Sequence, residues 1–389
     1  MENNSENQVK EIAPGVTTEE MTALYFNADA LREPAYKIYQ LNSDGHRYYY
    51  RFEDGQPCFY PSVTTLLKQT LPTSPFLIEW IAKNGTDGAS EKRDMAAAYG
   101  TFMHAQFEQL IINRRYNFDE VPAILMSYIK ASNLPDKFFS ENLTKIRKDI
   151  CAFAQFVKDY NAKPLAVEIA LVHPEYHYAG MIDMPCIMVD PKTGEEFRAI
   201  VDFKSGRKGF WEEHEIQLHL YKEMWNANYP DIPIERVFNF SPKDWRGVKP
   251  SYNFKEQTCS ANAAKIPALL ELARIEDNKL DNSFTVISGE FTLEDFDATK
   301  NITTLSLAEL IKIKAEKTSQ IVEDHPEGDF TPGEPKSPEK AENNEATVEV
   351  NNVPDWLQTA QEKAEKAKNK PKKPTGEKSV DLLNGEIEL

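Results

Sequence analysis

"EEFRAIVDFKSGRKGFWEEHEIQLHLYKEMWNANYPDIPIERVFNF", residues 195–240, changes its hydrophobic period twice. "EEFRAIVDF" (195–203) is rich in β-formers, residues 210–230 carry an amphipathic helical pattern, and "IERVFNF" (234–240) returns to a strand. A strand, a crossover helix and a second strand let the last strand join the same sheet in parallel. Upstream, "PLAVEIALVH" (164–173) and "YAGMIDMPCIMVD" (178–190) are two more β-rich runs, divided by a Pro174-Glu175 turn and closed by a turn over residues 190–194. With 195–203 they read as a three-stranded meander. The expected fold is therefore α/β, a mixed central sheet flanked by helices.

The flanking pattern is helical. Helices are predicted near Glu91–Arg115, over 120–131 and 138–160, from Pro61 with Ser62 as its cap, around "LIEWIA" (77–82), and over roughly 256–280. Gly100 lies inside the 91–115 pattern, at a cost of about 1 kcal/mol relative to Ala, so close packing or a local break is expected there. Residues 36–60 read as aromatic strands around turns at Ser43-Asp44-Gly45 and Asp54-Gly55. The chain is expected to divide into a polar, flexible segment (1–30), a folded unit (31–320) and a disordered tail (321–389) rich in Pro, Glu and Lys.

Of 389 residues, 41% are apolar, enough for a large core. Cys58, Cys151, Cys186 and Cys259 lie far apart with no CxxC pair, which suggests free thiols and neither a zinc ribbon nor a disulfide framework. The polar, acidic start resembles neither a signal peptide nor a mitochondrial presequence, and no run of about 18 apolar residues occurs; a cytoplasmic, non-membrane protein is expected. The net charge of −17 is concentrated at the ends. Residues 321–389 carry 16 acidic and 9 basic groups and residues 1–30 six and one, leaving −5 for residues 31–320. A nearly neutral core with basic patches remains compatible with a polyanionic partner.

Three Asp-x-Lys triplets occur: Asp190-Pro191-Lys192, Asp202-Phe203-Lys204 and Asp277-Asn278-Lys279. Only the second ends a strand, where side chains at i and i+2 point to one face. Asp183, in a run too apolar to hide a lone carboxylate cheaply, converges with Asp202 if the two strands are neighbours. Together they suit a hard cation such as Mg²⁺ or Mn²⁺. Lys204 then orients or deprotonates a water, or neutralises charge on a phosphoryl oxygen. Glu168 is a further ligand or water holder. His104 and Glu108 share a helix face at i and i+4. Gln217 and Tyr221 repeat that spacing, either facing a phosphate or base or forming an ordinary amphipathic face.

In order the chain reads GxxxHxxxE (100–108), Glu168, GxxD (180–183), DxK (202–204) and QxxxY (217–221). This ordered set resembles the PD-(D/E)XK nuclease superfamily, in its RecB-like exonuclease branch, over roughly residues 55–280. "PSVTTLLKQTLP" with "IEW" is similar to the entry segment of mitochondrial genome maintenance exonucleases and phage relatives. The resemblance implies a restriction-endonuclease-like core with an N-terminal strand and helix extension, and a catalytic core at about 90–280. It implies His104, Asp183, Asp202 and the Phe203 carbonyl as metal ligands, Lys204 as the catalytic lysine and Glu168 as an accessory acid. It further implies Gln217 and Tyr221 near the substrate and an orienting role for Glu108. Ile182 stands where the superfamily has its eponymous proline. The four-cysteine arrangement of iron–sulfur relatives is absent, so no cluster is expected.

The reading is a metal-dependent DNA exonuclease acting on single-stranded ends in replication, recombination or repair, of phage or bacterial type. It would act in the cytoplasm, that of a bacterial host if phage-encoded. Arg207, Lys208, Lys243, Arg246 and Lys249 are candidates for backbone contacts. Trp211, Trp245 and Tyr252 are candidates for base stacking or core packing. The tail segments "VPDWLQTAQEKAEKAKNK" and "SVDLLNGEIEL" either recruit a single-strand-binding or annealing protein or only solubilise. The alternatives are a double-strand-resecting recombination exonuclease and a catalytically degenerate DNA-binding scaffold.

Overall fold

The computed structural model describes residues 10–13, 16–34, 36–43, 46–207, 209–258, 262–276, 283–287, 290–313 and 315. The expected tail over 321–389, Lys208, Cys259 and the Asp277-Asn278-Lys279 triplet lie outside them.

Strands come first: β1 (Lys10–Ala13), β2 (Val16–Met21), β3 (Tyr25–Phe26), β4 (Ile38–Ser43), β5 (His46–Glu53) and β6 (Gln56–Pro61). All but β3 form one antiparallel sheet in the order β1-β2-β4-β5-β6. Asp54 and Gly55 both take positive φ at the β5–β6 turn, as a two-residue hairpin requires. Regular structure thus begins before residue 31, where a polar, flexible segment was expected. Pairing with β1 and β4, together with the buried Thr17 and a 2.7 Å hydrogen bond between the Thr18 and Tyr50 hydroxyls, holds this polar strand without an apolar run to announce it.

Helices α1 (Val63–Thr70), α2 (Pro75–Asn84), α3 (Thr86–Asn113), α4 (Val121–Ala131) and α5 (Lys137–Asp159) follow. Ser62 caps α1 as expected, its hydroxyl accepting from the Thr65 amide at 3.0 Å. Helix α3 runs unbroken through Gly100, where a Cβ would lie 3.3 Å from Ser205 Oγ. Close packing, rather than a break, is the reason for that glycine.

Next come β7 (Lys163–Pro164), β8 (Ala166–Val167), β9 (Ile169–His173), β10 (Tyr178–Ile182), β11 (Met184–Val189), β12 (Glu196–Phe203), α6 (Glu212–Asn228), β13 (Arg236–Pro242), β14 (Tyr252–Glu256) and α7 (Ile266–Glu276). The central sheet has the order β14-β13-β12-β11-β7, with β12 and β13 parallel and every other pair antiparallel. The β12–α6–β13 crossover is as the sequence predicts. The expected meander is interrupted, because its first two strands break opposite each other at Glu168 and Asp183. Between the Ile169–Ile182 pair and the Pro164–Cys186 pair the first strand carries one residue more than its partner, a bulge centred on Glu168 at φ 49°. The helix expected from about residue 256 starts at Ile266, after a short 3₁₀ turn. Tyr252 and Phe254 alternate onto the sheet and make β14 an edge strand instead.

Alternation gives the sheet two covered faces. Met184, Cys186, Val201, Phe203, Phe238 and Phe240 pack under α3, α4 and α5, whereas Ile200 and Val237 face α1, α6 and α7. The N-terminal sheet joins this core through Tyr49, Tyr60, Ala170 and Ala179.

Candidate active site

On the α6 side of the sheet the apolar alternation fails at one edge. Asp202 follows Ile200 and Asn239 follows Val237, at register partners of the parallel pair β12–β13. Both strands end at this edge, the usual place for ligand-binding groups in open α/β sheets. Asp202 is 2% exposed, and a carboxylate so deeply buried needs partners. Lys204 Nζ lies 3.0 Å from its Oδ1 and 2.8 Å from its Oδ2, and donates also to Gln217 Oε1 at 3.1 Å. The i, i+2 geometry predicted for Asp202 and Lys204 is present.

Asp183 enters from the break between β10 and β11, and its Oδ2 accepts the Phe203 amide at 2.7 Å. The Asp183 carbonyl accepts from the Glu168 amide at 2.9 Å, so the bulge fixes the spacing of the two acids. From α3, His104 Nε2 lies 2.9 Å from the Phe203 carbonyl oxygen and Nδ1 lies 3.8 Å from Asp183 Oδ2. One turn further along α3, Glu108 is buried, and His104, Glu108 and Glu168 offer ligand atoms within 4.8 Å of one another. His104 is thus common to two groups, one with Asp183 and the Phe203 carbonyl, the other with Glu108 and Glu168.

Crowding shows in the electrostatics. Burial, with nearby Asp202 adding to it, pushes the Asp183 carboxyl up to about 6, against the opposing pull of His104 and Lys204. Tyr221 is pushed well above the usual phenol value by burial, then by Asp202 and Asp183, and its hydroxyl receives a hydrogen bond from Gln217 Nε2 at 2.9 Å. Its ring explains the glycine of GxxD, since a Cβ on Gly180 would sit 2.6 Å from Tyr221 Cε1. His214, one turn before Gln217, is held down to about 4 by burial and then by Lys204.

Three side chains here escaped the sequence reading. Asn239 Nδ2 donates to Asp202 Oδ2 at 2.8 Å, and Gln257 Nε2 donates to Asn239 Oδ1 at 2.7 Å. A polar residue between Phe238 and Phe240 in a strand covered on both faces was the available signal. Arg47, on β5, carries its guanidinium beside Tyr49 and close enough to Tyr221 and Glu168 for their charges to raise its pKa, against burial. Its strand is remote in sequence from every motif.

The expected DNA-contacting groups divide. Arg207 is engaged, donating to buried Asp149 at 2.6 Å and lying 3.4 Å from Asp244. Its sequence context, a basic loop, gave no hint of the acid on α5. Lys243, Arg246 and Lys249 are exposed on the loop after β13, which leaves the sheet at the same edge as Lys204. Trp211 is exposed, while Trp245 donates to the Lys148 carbonyl and half-buried Tyr252 packs against the core with its hydroxyl donating to Asp159.

An imidazole, a backbone carbonyl and several carboxylates make a mixed N/O donor set of the kind hard divalent cations take. The 2.9 Å between His104 Nε2 and the Phe203 oxygen is also the spacing of adjacent ligands around an octahedral ion with bonds of about 2.1 Å. The residues fit such an ion.

A profile of the PD-(D/E)XK nuclease superfamily matches residues 79–378. The chain belongs to the PD-(D/E)XK nuclease superfamily. Its members are nucleases that use divalent metals, and DNA is the substrate the family implies. The match spans His104, Asp183, Asp202 and Lys204, and leaves the N-terminal sheet outside. A comparison with curated proteins found no match. Among the described residues no helix is long and apolar enough to cross a membrane.

Proposed function

We propose that the protein is a RecB-like, Mg²⁺- or Mn²⁺-dependent deoxyribonuclease that releases nucleotides from single-stranded DNA ends. One observation carries the reading: His104, Asp183, Asp202, the Phe203 carbonyl and Lys204 meet at the edge where β12 and β13 both end. In this reading His104, Asp183, Asp202 and the Phe203 oxygen hold the cation, with Glu168 as an accessory acid and Glu108 orienting His104. A bound divalent ion supplies Lewis-acid activation of water and of the phosphoryl oxygen. Lys204, aimed by its hydrogen bonds to Asp202 and Gln217, offsets negative charge growing on the scissile phosphate. Tyr221, held neutral with its ring against Gly180, walls the site beside Gln217. Lys243, Arg246 and Lys249 supply backbone contacts from the neighbouring loop, and exposed Trp211 a surface for an unpaired base.

The test compares end-labelled linear single strands, linear duplex and closed circles, with Mg²⁺, Mn²⁺ or chelator, for wild type and Lys204→Ala. Mononucleotide release from linear single strands with either metal is expected, with a drop of about 10²–10³-fold in Lys204→Ala. Cleavage of closed circles would refute the exonuclease mode. No metal-dependent cleavage by wild type would favour the degenerate scaffold.

A further inference from the structure

The amide of Asn239 is a costly choice for its position. It is 0% exposed, on a strand whose neighbours Phe238 and Phe240 are core residues, and an unpaired amide there would cost more than any aliphatic side chain. It is fully engaged instead. Asn239 Nδ2 donates to Asp202 Oδ2 at 2.8 Å, and Asn239 Oδ1 accepts from Gln257 Nε2 at 2.7 Å. Gln257, 5% exposed, is itself fixed just beyond β14 by its backbone amide on the Val237 carbonyl at 2.9 Å.

Sheet register places these groups. Asp202 and Asn239 are direct partners of the parallel pair, Asn239 faces Lys255 across the antiparallel pair, and Gln257 is two residues beyond Lys255 on the same face. Strands β12 and β13 and the residue that follows β14 thus contribute one polar side chain each to a row that ends at Asp202.

That row sets the direction of the carboxylate. Oδ2 of Asp202 accepts from Asn239 Nδ2 and Oδ1 accepts from Lys204 Nζ, which also lies 2.8 Å from Oδ2 as an ion pair. A carboxylate oxygen accepts about two hydrogen bonds, so each oxygen keeps capacity for a further partner, while the Asn239 bond fixes how the carboxylate is turned. Turning the Asn239 amide over would set its oxygen against Asp202 and its NH₂ against the NH₂ of Gln257. Gln257 therefore fixes which way Asn239 faces.

We propose that Asn239 and Gln257 are positioning residues that orient Asp202, so that its carboxylate is presented to the divalent cation with Lys204 held across it. The inference rests on the nuclease reading above. Partners of this kind, one bond behind a ligand, typically change metal affinity or activity by about 10–100-fold when removed.

The experiment titrates Mn²⁺ into wild type, Asn239→Leu, Gln257→Leu and the double variant without DNA, read by electron paramagnetic resonance. Melting curves and kcat and KM on end-labelled DNA accompany it. Mn²⁺ affinity should fall about 10–100-fold in Asn239→Leu and by a smaller factor in Gln257→Leu. The double variant should be no worse than Asn239→Leu, because Gln257 acts only through Asn239. Losses in turnover should appear in kcat with KM for DNA unchanged. Wild-type Mn²⁺ affinity in Asn239→Leu, or losses that multiply in the double variant, would overturn the proposal. If Asn239→Leu fails to fold, Gln257→Leu decides alone: unchanged Mn²⁺ affinity refutes the relay. A wild type that neither binds Mn²⁺ nor cuts DNA would instead overturn the nuclease reading and this inference with it.

Discussion

His214 shows how one side chain serves both a helix end and the site's charge balance. Its Nδ1 accepts the Trp211 amide at 3.2 Å, closing the first turn of α6, so the proton of the neutral ring sits on Nε2. Burial and the nearby Lys204 hold its pKa near 4, below the unfolded value of about 6.5. The folded protein therefore binds fewer protons than the unfolded chain below pH 6.5, and stability is lost as pH falls from about 6.5 towards 4. At 1.36 kcal/mol per pKa unit the full loss is about 3 kcal/mol. His214→Gln keeps an acceptor for the Trp211 amide but cannot titrate. Its melting temperature should fall less than that of wild type between pH 7 and 4.5, and parallel curves would refute the assignment. At this scale the sequence was most legible where local geometry decides: Asp202 with Lys204 at i, i+2, and His104 with Glu108 at i, i+4. Asn239, Gln257 and Arg47 were hidden because sheet order and packing between sheets bring them in, and neither leaves a local spacing. Arg207 was misleading for the same reason, its partner Asp149 being 58 residues away in sequence.

Elements meet closely where β10 crosses α6. Gly180 lets the Tyr221 ring lie on the strand, with room for a Cβ lacking by a wide margin at 2.6 Å. Gly180→Ala should destabilise the protein by about 1–3 kcal/mol through overpacking, measured by urea unfolding. Tyr221→Leu in the same chain should recover part of that loss, since the two effects share one contact; strict additivity would show that the ring is not what the methyl meets. The helices and the β12–α6–β13 crossover could be read from period alone. The paired breaks at Glu168 and Asp183 could not, because a bulge depends on which residues a partner strand offers. Strand β14 was missed because five residues with two aromatics are too few to outweigh the helical pattern after them.

Across the whole sequence, negative charge is concentrated towards the two ends. The −7 balance of residues 321–389 belongs to a segment rich in Pro, Glu and Lys that lies outside the described residues. Deleting it should leave metal-dependent cleavage within a few-fold of wild type, assayed at two salt concentrations, because backbone contacts weaken with salt. The family match extends to residue 378. Loss of all activity in the deletion would assign those residues to the catalytic unit. The N-terminal sheet lies outside the match yet delivers Arg47 to the side chains of Glu168 and Tyr221.

Glu168 occupies a backbone conformation, φ 49°, that an ordinary side chain adopts only at a cost of about 1–3 kcal/mol. Glycine would fit there without strain, though with a more flexible unfolded chain to order. Glu168→Gly should therefore melt as high as wild type or a few degrees higher, while its grip on Mn²⁺ weakens; a large drop in melting temperature would show the bulge is not strained. Random mutagenesis selected for heat resistance alone should then drift away from this glutamate, whereas selection for DNA cleavage should retain it. Durability and catalysis pull in opposite directions at a single residue.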